Sequence, residues 1–207
     1  MTASPLIRRM REREMGQAAG MLARAFKDAP LTEVLAPDPA RREAASRWLF
    51  GSNLRYGHQY GEVWAAIGPG RAVDGAAIWW APDYVEPDDE RSEQSGLADG
   101  LLVVGPVAWN RLAELAGSMA DLHQRAAPGP HWYLAFIGVE PALQGRGIAG
   151  QLLRPMLDRL DAERLPAYLE TAVPRNVAYY PRFGFEVTGE VTLPSGVTFW
   201  GMRRHPR

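Results

Sequence analysis

Three closely spaced glycines, in residues 142–153 (ALQGRGIAGQLL), constrain this chain more than any other feature. The segment follows an almost wholly apolar run at 131–140 and precedes a stretch, 147–164, whose apolar residues recur every three or four positions. The first pattern is typical of a central strand and the second of an amphipathic helix. A helix start carries unpaired N–H groups, and small residues let these groups approach an anion closely. The sequence therefore predicts a strand–loop–helix unit that can hold a phosphate group.

The same glycines also fit the dinucleotide fingerprint G-x-G-x-x-G, and Glu170 lies where such a fold places its ribose-binding acid. In that fold the first glycine comes at the very end of the strand. Here the five residues EPALQ intervene between Val139 and Gly145. The 57 residues after Gly150 (207 − 150) leave too little chain for the remaining parallel strands. An NAD-binding oxidoreductase is therefore the alternative and not the preferred interpretation.

A second pattern fits this loop better. Gln144, Gly147 and Ala149 match a Q/R-x-x-G-x-G/A signature, and a further motif follows at 169–187 (LETAVPRNVAYYPRFGFEV). Together and in this order the two motifs resemble the GNAT (GCN5-related) N-acetyltransferases. From residue 131 onward the chain resembles the small-molecule branch that includes puromycin N-acetyltransferase. In the later motif the matching residues are Glu170, Asn176, Tyr180, Gly184 and Phe185.

The resemblance implies an α/β (α+β) fold with a mixed, mostly antiparallel sheet of six to seven strands, a splayed central strand and flanking helices. The residue patterns agree with that order of elements. They predict strands at 5–10, 62–67, 73–80, 131–140, 166–172, 185–194 and 197–204, and helices at 14–27, 41–60, 96–126, 147–164 and 176–183, with a loop at 28–40 and a turn-like segment at 83–93. We expect residues 1–207 to form one domain with a helical insert at about 85–130.

The resemblance also implies acetyl-CoA as the cosubstrate and no metal. The backbone of the splayed strand would pair with the pantetheine arm, and the glycine loop would hold the diphosphate. Arg146 would either add a charged contact or be a solvated side chain. A glycine at 138, in mid-strand, independently indicates a bulge or a close backbone approach. Asn176 would lie near the pantetheine, although it also suits a helix N-cap. The predicted cofactor-binding residues are Ile137, Gly138, Val139, Gln144, Gly145, Arg146, Gly147, Ile148, Ala149, Gly150 and Asn176.

Two side chains are the candidates for proton transfer. Tyr180 would be the acid, because a phenol can protonate a departing thiolate without carrying a charge beforehand. The adjacent Tyr179 is expected to be a packing residue. Glu170 is the preferred base and Glu140 the second candidate, both at strand ends. A buried glutamate with a raised pKa would suit proton removal from an amine.

The acceptor is expected to be a primary amine, preferably of a small molecule such as an antibiotic or a metabolite. A protein N-terminus or a lysine side chain stays open, as does a non-catalytic CoA-binding module. Trp79, Trp80, Tyr84 and Trp109 are either aromatic walls of the acceptor site or core residues. The acidic residues 86–93 either attract a cation or form a solvated loop. A homodimer is left open.

Composition narrows the function classes further. The net charge is −1, which disfavours a nucleic-acid partner. The chain has no Cys, which excludes disulfides and thiolate chemistry, and its four His do not have metal-ligand spacing on a helix. No apolar run approaches the ~18 residues of a membrane helix. The first residues lack the apolar core of a signal peptide, so a cytoplasmic location without membrane association is expected.

Overall fold

The structure is a computed structural model that describes residues 4–36, 38–84 and 87–207. A seven-stranded sheet in the order β1-β2-β3-β4-β5-β7-β6 forms its centre. The strands are β1 (Leu6–Arg9), β2 (Gly61–Ile67), β3 (Val73–Trp80), β4 (Trp132–Val139), β5 (Ala167–Thr171), β6 (Phe185–Thr192) and β7 (Thr198–Arg204). Neighbouring strands are antiparallel except β4 and β5, which are parallel. The predicted mixed, mostly antiparallel sheet is confirmed, and a doubly wound parallel sheet is excluded.

Helices cover both faces of the sheet. They are α1 (Met15–Ala25), α2 (Pro30–Leu35), α3 (Arg42–Tyr60), α4 (Asp89–Ser95), α5 (Gly100–Val104), α6 (Pro106–Ala126), α7 (Ile148–Glu163) and α8 (Pro174–Val177), with a 3-10 turn at Tyr180–Phe183. Alternate residues of β3 show the two layers. Ile78 packs in the core beneath α1 and α3, whereas Trp79 packs beneath α7. Trp79 is completely buried. The alternative prediction, that Trp79 forms a wall of the acceptor site, is therefore wrong.

Two of the predicted elements need correction. The segment 28–40, expected to be a loop, contains α2, and the turn-like segment 83–93 contains the first five residues of α4. Residues 85 and 86, where the insert and the acidic stretch were predicted to begin, lie outside the described residues. Helices α4 to α6 occupy most of the predicted insert. The division of the chain into one domain with an insert stays a prediction.

β4 and β5 separate partway along their length. They are paired at Trp132–Ala167, Tyr133–Tyr168 and Leu134–Leu169, whereas β4 continues beside β3 to Val139. A register shift opposite Ile78 and Trp79 leaves Ala135 as the extra residue of a bulge. The predicted splayed, bulged strand is thus confirmed, with the bulge at Ala135. The separation opens a wedge in the sheet, and the functional site is built around it.

Gly138 has a different reason for being glycine. A Cβ atom at this position would lie 2.6 Å from Leu22 Cδ2 and 3.3 Å from Ala25 Cβ. Helix α1 therefore approaches the backbone of β4 directly. The predicted close approach exists, and the approaching group is a helix of this chain.

Candidate functional site

A groove of about 1260 Å³ runs from the wedge between β4 and β5 to the first turn of α7. Ten of the eleven predicted cofactor-binding residues line it, together with Tyr180. Arg146 is exposed on the loop before α7 and is not among the described residues that line the groove. The groove also receives side chains that the sequence reasoning did not select, including Arg24, Lys27, Arg154, Arg175, Arg182 and Phe183.

The loop before α7 is shaped for its backbone to face the groove. Gly145 and Gly147 have φ values of 78° and 79°, in the left-handed region that favours glycine. Gly147 is the N-cap of α7, and a Cβ at either glycine would meet no atom within 4 Å. The first N–H groups of this 16-residue helix carry the positive end of its dipole. The arrangement therefore suits an anion held by main-chain N–H groups.

Gln144 and Gly150 hold this loop to its neighbours. The Gln144 side-chain amide donates to the Val139 carbonyl over 3.2 Å, which ties the loop to the end of the splayed strand. A Cβ at Gly150 would lie 3.2 Å from Phe183 Cζ and 3.5 Å from Tyr179 Oη. The missing side chain lets the 3-10 turn at Tyr180–Phe183 pack against α7. Gly150 thus brings the candidate acid close to the loop.

The groove is positively charged. Five cationic side chains and one acid, Asp28, contribute to its lining. Arg154 lies one helical turn beyond Gly150, so the 3.6-residue period of α7 was a signal that could have identified it. Arg175 lies in the short α8 and Arg182 in the 3-10 turn that follows it. The Arg182 guanidinium covers the Tyr179 ring at 4.6 Å. A groove of this charge favours an anionic ligand.

Tyr180 is buried at the inner end of the groove, where 6% of it is exposed. Its ring packs against Tyr179 and Phe185, with centroids 5.6 and 5.8 Å away. Burial raises the pKa of Tyr180 well above its usual value. Its phenol therefore keeps its proton at all physiological pH values and is available as a donor. Tyr179 has packing contacts and also lines the groove.

Asn176 and Thr171 join the short helix to β5. The Asn176 amide donates to Thr171 Oγ1 over 3.2 Å, and the Val173 N–H donates to the same oxygen over 3.2 Å. Asn176 lies inside α8, whose N-cap is Val173. The alternative assignment of Asn176 as an N-cap is wrong. Its side chain instead connects the end of β5 to the wall of the groove.

Glu170 points to the opposite side of the sheet from the α7 layer. Successive residues of β5 alternate, so Leu169 packs beneath α7 while Glu170 and Tyr168 face α6. The Glu170 side chain is 7% exposed, and the Tyr133 hydroxyl donates to its Oε2 over 2.5 Å. Burial is the main cause that raises the pKa of Glu170 to about 7, against the opposing hydrogen bond from Tyr133.

Glu140 is held in a different way. Arg24 donates to both its carboxylate oxygens, with the shortest contact, Nη2 to Oε2, at 2.7 Å. Both oxygens of this carboxylate are thus already engaged in a bidentate ion pair. The geometry therefore favours Glu170 over Glu140 as a base.

Comparison with known proteins agrees with this wedge, loop and groove. The parallel strands β4 and β5, which separate at one end and are connected by the glycine-capped helix α7, define the class of α/β fold. The sequence model of the Acetyltransferase (GNAT) family matches residues 74–185, which is more than half of the chain. The chain belongs to the GNAT family.

Individual relatives extend the comparison. An uncharacterized N-acetyltransferase of Schizosaccharomyces pombe is 41% identical over 54 residues, a match that covers 26% of this chain and 22% of that protein. A structure from Corynebacterium glutamicum, described as histone acetyltransferase HPA2 and related acetyltransferase, is 21% identical with a TM-score of 0.74, covering 99% and 98% of the two chains.

Arylalkylamine N-acetyltransferase 2 from Aedes aegypti is also similar, at 13% identity with a TM-score of 0.66 over 98% and 99% of the two chains. At these identities the likeness of the solved structures shows the fold. Of the helices in the described ranges, none is long and apolar enough to cross a membrane.

Proposed function

We propose that this protein transfers an acetyl group from acetyl-CoA to the primary amine of a small molecule. One observation carries the proposal: the groove joins the splayed end of β4 to the glycine-capped N-terminus of α7. A pantetheine arm needs free backbone groups, and a diphosphate needs N–H groups and positive charge. In the groove, the free backbone groups of β4 and the N-terminus of α7 follow each other in the same order as the pantetheine arm and the diphosphate of acetyl-CoA.

Different residues of the groove would bind different parts of acetyl-CoA. Residues 137–139 would pair with the pantetheine, and the turn at 145–150 would hold the diphosphate. Arg154, Arg175 and Arg182 would add charge near the phosphates, since all three line the groove. The open space outside Gly145 and Gly147 supports this assignment, because a bound anion can reach their N–H groups. When bound, acetyl-CoA supplies a thioester whose acetyl carbon is open to attack.

The acceptor would approach from the face of the sheet that α7 does not cover. Three phenylalanines pack together there beside the wedge: Phe26 and Phe50 at 5.0 Å, with Phe136 at 5.3 Å from Phe50. Glu170 is on the same face. Aromatic side chains with one carboxylate suit an organic ammonium ion. The similar protein from Aedes aegypti is named for arylalkylamines, which supports an acceptor of this size and character.

The chemistry then requires removal of protons from the nitrogen and donation of a proton to the sulfur. Glu170 would take a proton from the ammonium, directly or through water, so that the nitrogen is neutral. The nitrogen forms its bond to the acetyl carbon as the bond from that carbon to sulfur breaks. Tyr180 would give its proton to the departing sulfur. The nitrogen loses a second proton as the amide forms, and this proton replaces, through water, the one that Tyr180 gave to sulfur. The proton on Glu170 passes to solvent, and no metal or covalent enzyme intermediate is needed.

A pair of assays tests the proposal. Acetyl-CoA and CoA should raise the melting temperature, and NAD should not, because a ligand that binds the native state stabilises it by mass action. A thiol-release assay should then show turnover with a panel of arylalkylamines, polyamines and puromycin. Acetylation of peptides alone would overturn the small-molecule acceptor. Binding of CoA without turnover on any amine would identify a non-catalytic CoA-binding module.

A further inference from the structure

Glu170 belongs to a cluster of titratable side chains that the proposed chemistry leaves unexplained. The cluster lies where α6 packs over β5, β6 and β7. It brings together residues from segments that are far apart in sequence, and apart from Glu170 no motif marks them. Its members are Glu170 and Tyr168 on β5, Tyr133 on β4, His123 on α6 and His131 just before β4.

The hydrogen bonds of the two histidines fix where their protons lie. His131 Nδ1 is 2.7 Å from the Gly129 carbonyl oxygen, which can only accept, so Nδ1 carries the hydrogen. In neutral His131, Nε2 must then be an acceptor. His123 Nε2 is 2.6 Å from that atom and therefore carries its own hydrogen. It follows that Nδ1 of a neutral His123 is bare.

The bare nitrogen faces the carboxylate. His123 Nδ1 is 3.7 Å from Glu170 Oε1, and this oxygen is buried without a hydrogen-bond partner among the described residues. The other carboxylate oxygen already accepts the Tyr133 hydroxyl. The Tyr168 hydroxyl beside the carboxylate is likewise buried without a hydrogen-bond partner in the part of the chain that the structure describes. A buried carboxylate oxygen and a bare imidazole nitrogen thus face each other, and a proton added to this pair turns one of the two acceptors into a donor directed at the other.

We infer that Glu170 and His123 bind one proton between them, and that His123 is a positioning residue which sets the proton affinity of Glu170. His131 fixes the orientation of this unit by holding His123 in the tautomer that leaves Nδ1 bare. The inference rests on the proposed function of Glu170 as the base. It assigns to α6 a part in the reaction, although no residue of α6 lines the groove in the described structure.

The surroundings place this proton on the carboxyl group. Burial, the largest cause for each, lowers the pKa of His123 to about 4 and lowers that of His131. Arg203, facing His131 from β7, further disfavours a charged imidazole. The remaining titratable neighbours are the Tyr133 and Tyr168 hydroxyls, whose pKa values burial raises, so that both stay neutral. Below about pH 7 the unit is therefore a carboxylic acid beside a neutral imidazole, and above that pH it is a carboxylate beside the same neutral imidazole.

Imidazole nitrogen NMR of the whole chain, labelled with 15N, tests the tautomers without any activity. The chain has four histidines, and His58 and His205 serve as internal references. We expect His123 as the Nε2–H tautomer and His131 as the Nδ1–H tautomer at pH 6. The His123 Nδ1 shift should change as the pH rises through about 7. In Glu170→Gln that change should disappear. An imidazolium at pH 7, the opposite tautomer of His123, or an unchanged response in Glu170→Gln would overturn the inference.

Kinetic pH profiles test the positioning role. His123→Gln can donate an amide hydrogen to the carboxylate, so the acidic limb of kcat/KM should move to lower pH by roughly one unit. His131→Leu leaves the carboxylate contacts in place, but His123 is no longer held in the Nε2–H tautomer. The acidic limb of kcat/KM should therefore again move to lower pH. An unmoved limb, or a shift to higher pH, in both variants would overturn the role. If thiol release is absent with every amine, the proposed function fails while the NMR result stands separately.

Discussion

The groove and the Glu170 cluster lie beside the same pair of strands but are built by opposite means. The groove is open and positively charged, and its central part is main chain from consecutive residues. The cluster is closed and depends on side chains from three separate segments. Main-chain N–H groups keep their hydrogen-bonding capacity at any pH, whereas the cluster changes with its protons. The comparison suggests that binding of the cosubstrate is insensitive to pH and that the transfer step is sensitive to it.

The largest effect is expected from Tyr180→Phe, which separates chemistry from binding within the groove itself. Loss of a general acid should lower kcat by roughly 10²–10⁴-fold, whereas the ring that packs on Tyr179 and Phe185 remains. Calorimetry should show an unchanged Kd for acetyl-CoA. Tyr179→Phe is the matched control, because it removes a neighbouring hydroxyl from the same wall of the groove. Equal losses in the two variants would contradict the assignment of Tyr180 as the acid.

The next largest effect is the pH-dependent loss in Glu170→Gln. The pKa of Glu170 is raised to about 7, so the carboxylate is available as a base above that pH and is protonated below it. An aliphatic amine with a pKa of about 10 needs a base until the pH exceeds that value. The variant should therefore be slower, by roughly tenfold to a hundredfold, between these limits. Measured kcat/KM values of the two enzymes should converge below pH 6 and above pH 10.

A defect of equal size at every pH would instead make Glu170 structural. Glu140→Gln is the control for that outcome. Its carboxylate is committed to Arg24, so this variant should show no pH-dependent loss. If Glu140→Gln has the loss profile expected for Glu170→Gln, the base has been misassigned.

The groove was largely predictable from sequence, because a site made of backbone needs glycines and these are contiguous. Gly145 and Gly147 adopt the left-handed backbone conformation that favours glycine, so these two glycines indicate the shape of the turn in the sequence. The cluster was not predictable, apart from Glu170. Its histidines come from α6 and the turn before β4, and only the packing of α6 on the sheet brings them to β5. One signal was present: the alternation of β5 places Glu170 on the face of Tyr168 and away from Leu169.

Two helices were missed for reasons that lie in their first turns. Pro30 suggests a loop from the sequence, but it is the first residue of α2, where a proline costs no hydrogen bond. The acidic residues near 88 were read as a turn. In the structure Asp88 is the N-cap of α4, and its side chain accepts the Arg91 N–H over 2.8 Å. In both segments the residues that suggest a loop are those that start a helix.

A smaller effect, on binding alone, is expected from Gly147→Ala. A left-handed conformation costs an alanine about 1–2 kcal/mol, so relief of strain would reorient the turn and raise the Kd of acetyl-CoA roughly tenfold. Gly70→Ala is a close control. Gly70 has φ 69° and ψ 13° against 79° and 5° for Gly147, and neither has an atom within 4 Å of its Cβ position. Both variants should lose similar melting temperature, and only Gly147→Ala should lose affinity.

The smallest effect tests whether charge or main chain dominates in the groove. Arg154 and Arg146 are both exposed arginines near the start of α7, but of the two only Arg154 lines the groove. An exposed ion pair is worth about 0.2–1 kcal/mol, so Arg154→Ala should weaken acetyl-CoA binding by no more than about fivefold. The difference should shrink as salt is added, because exposed charges are screened. Arg146→Ala should leave the Kd unchanged at every salt concentration. An effect of Arg146→Ala as large as that of Arg154→Ala would mean that the diphosphate lies further along the loop than the groove lining indicates.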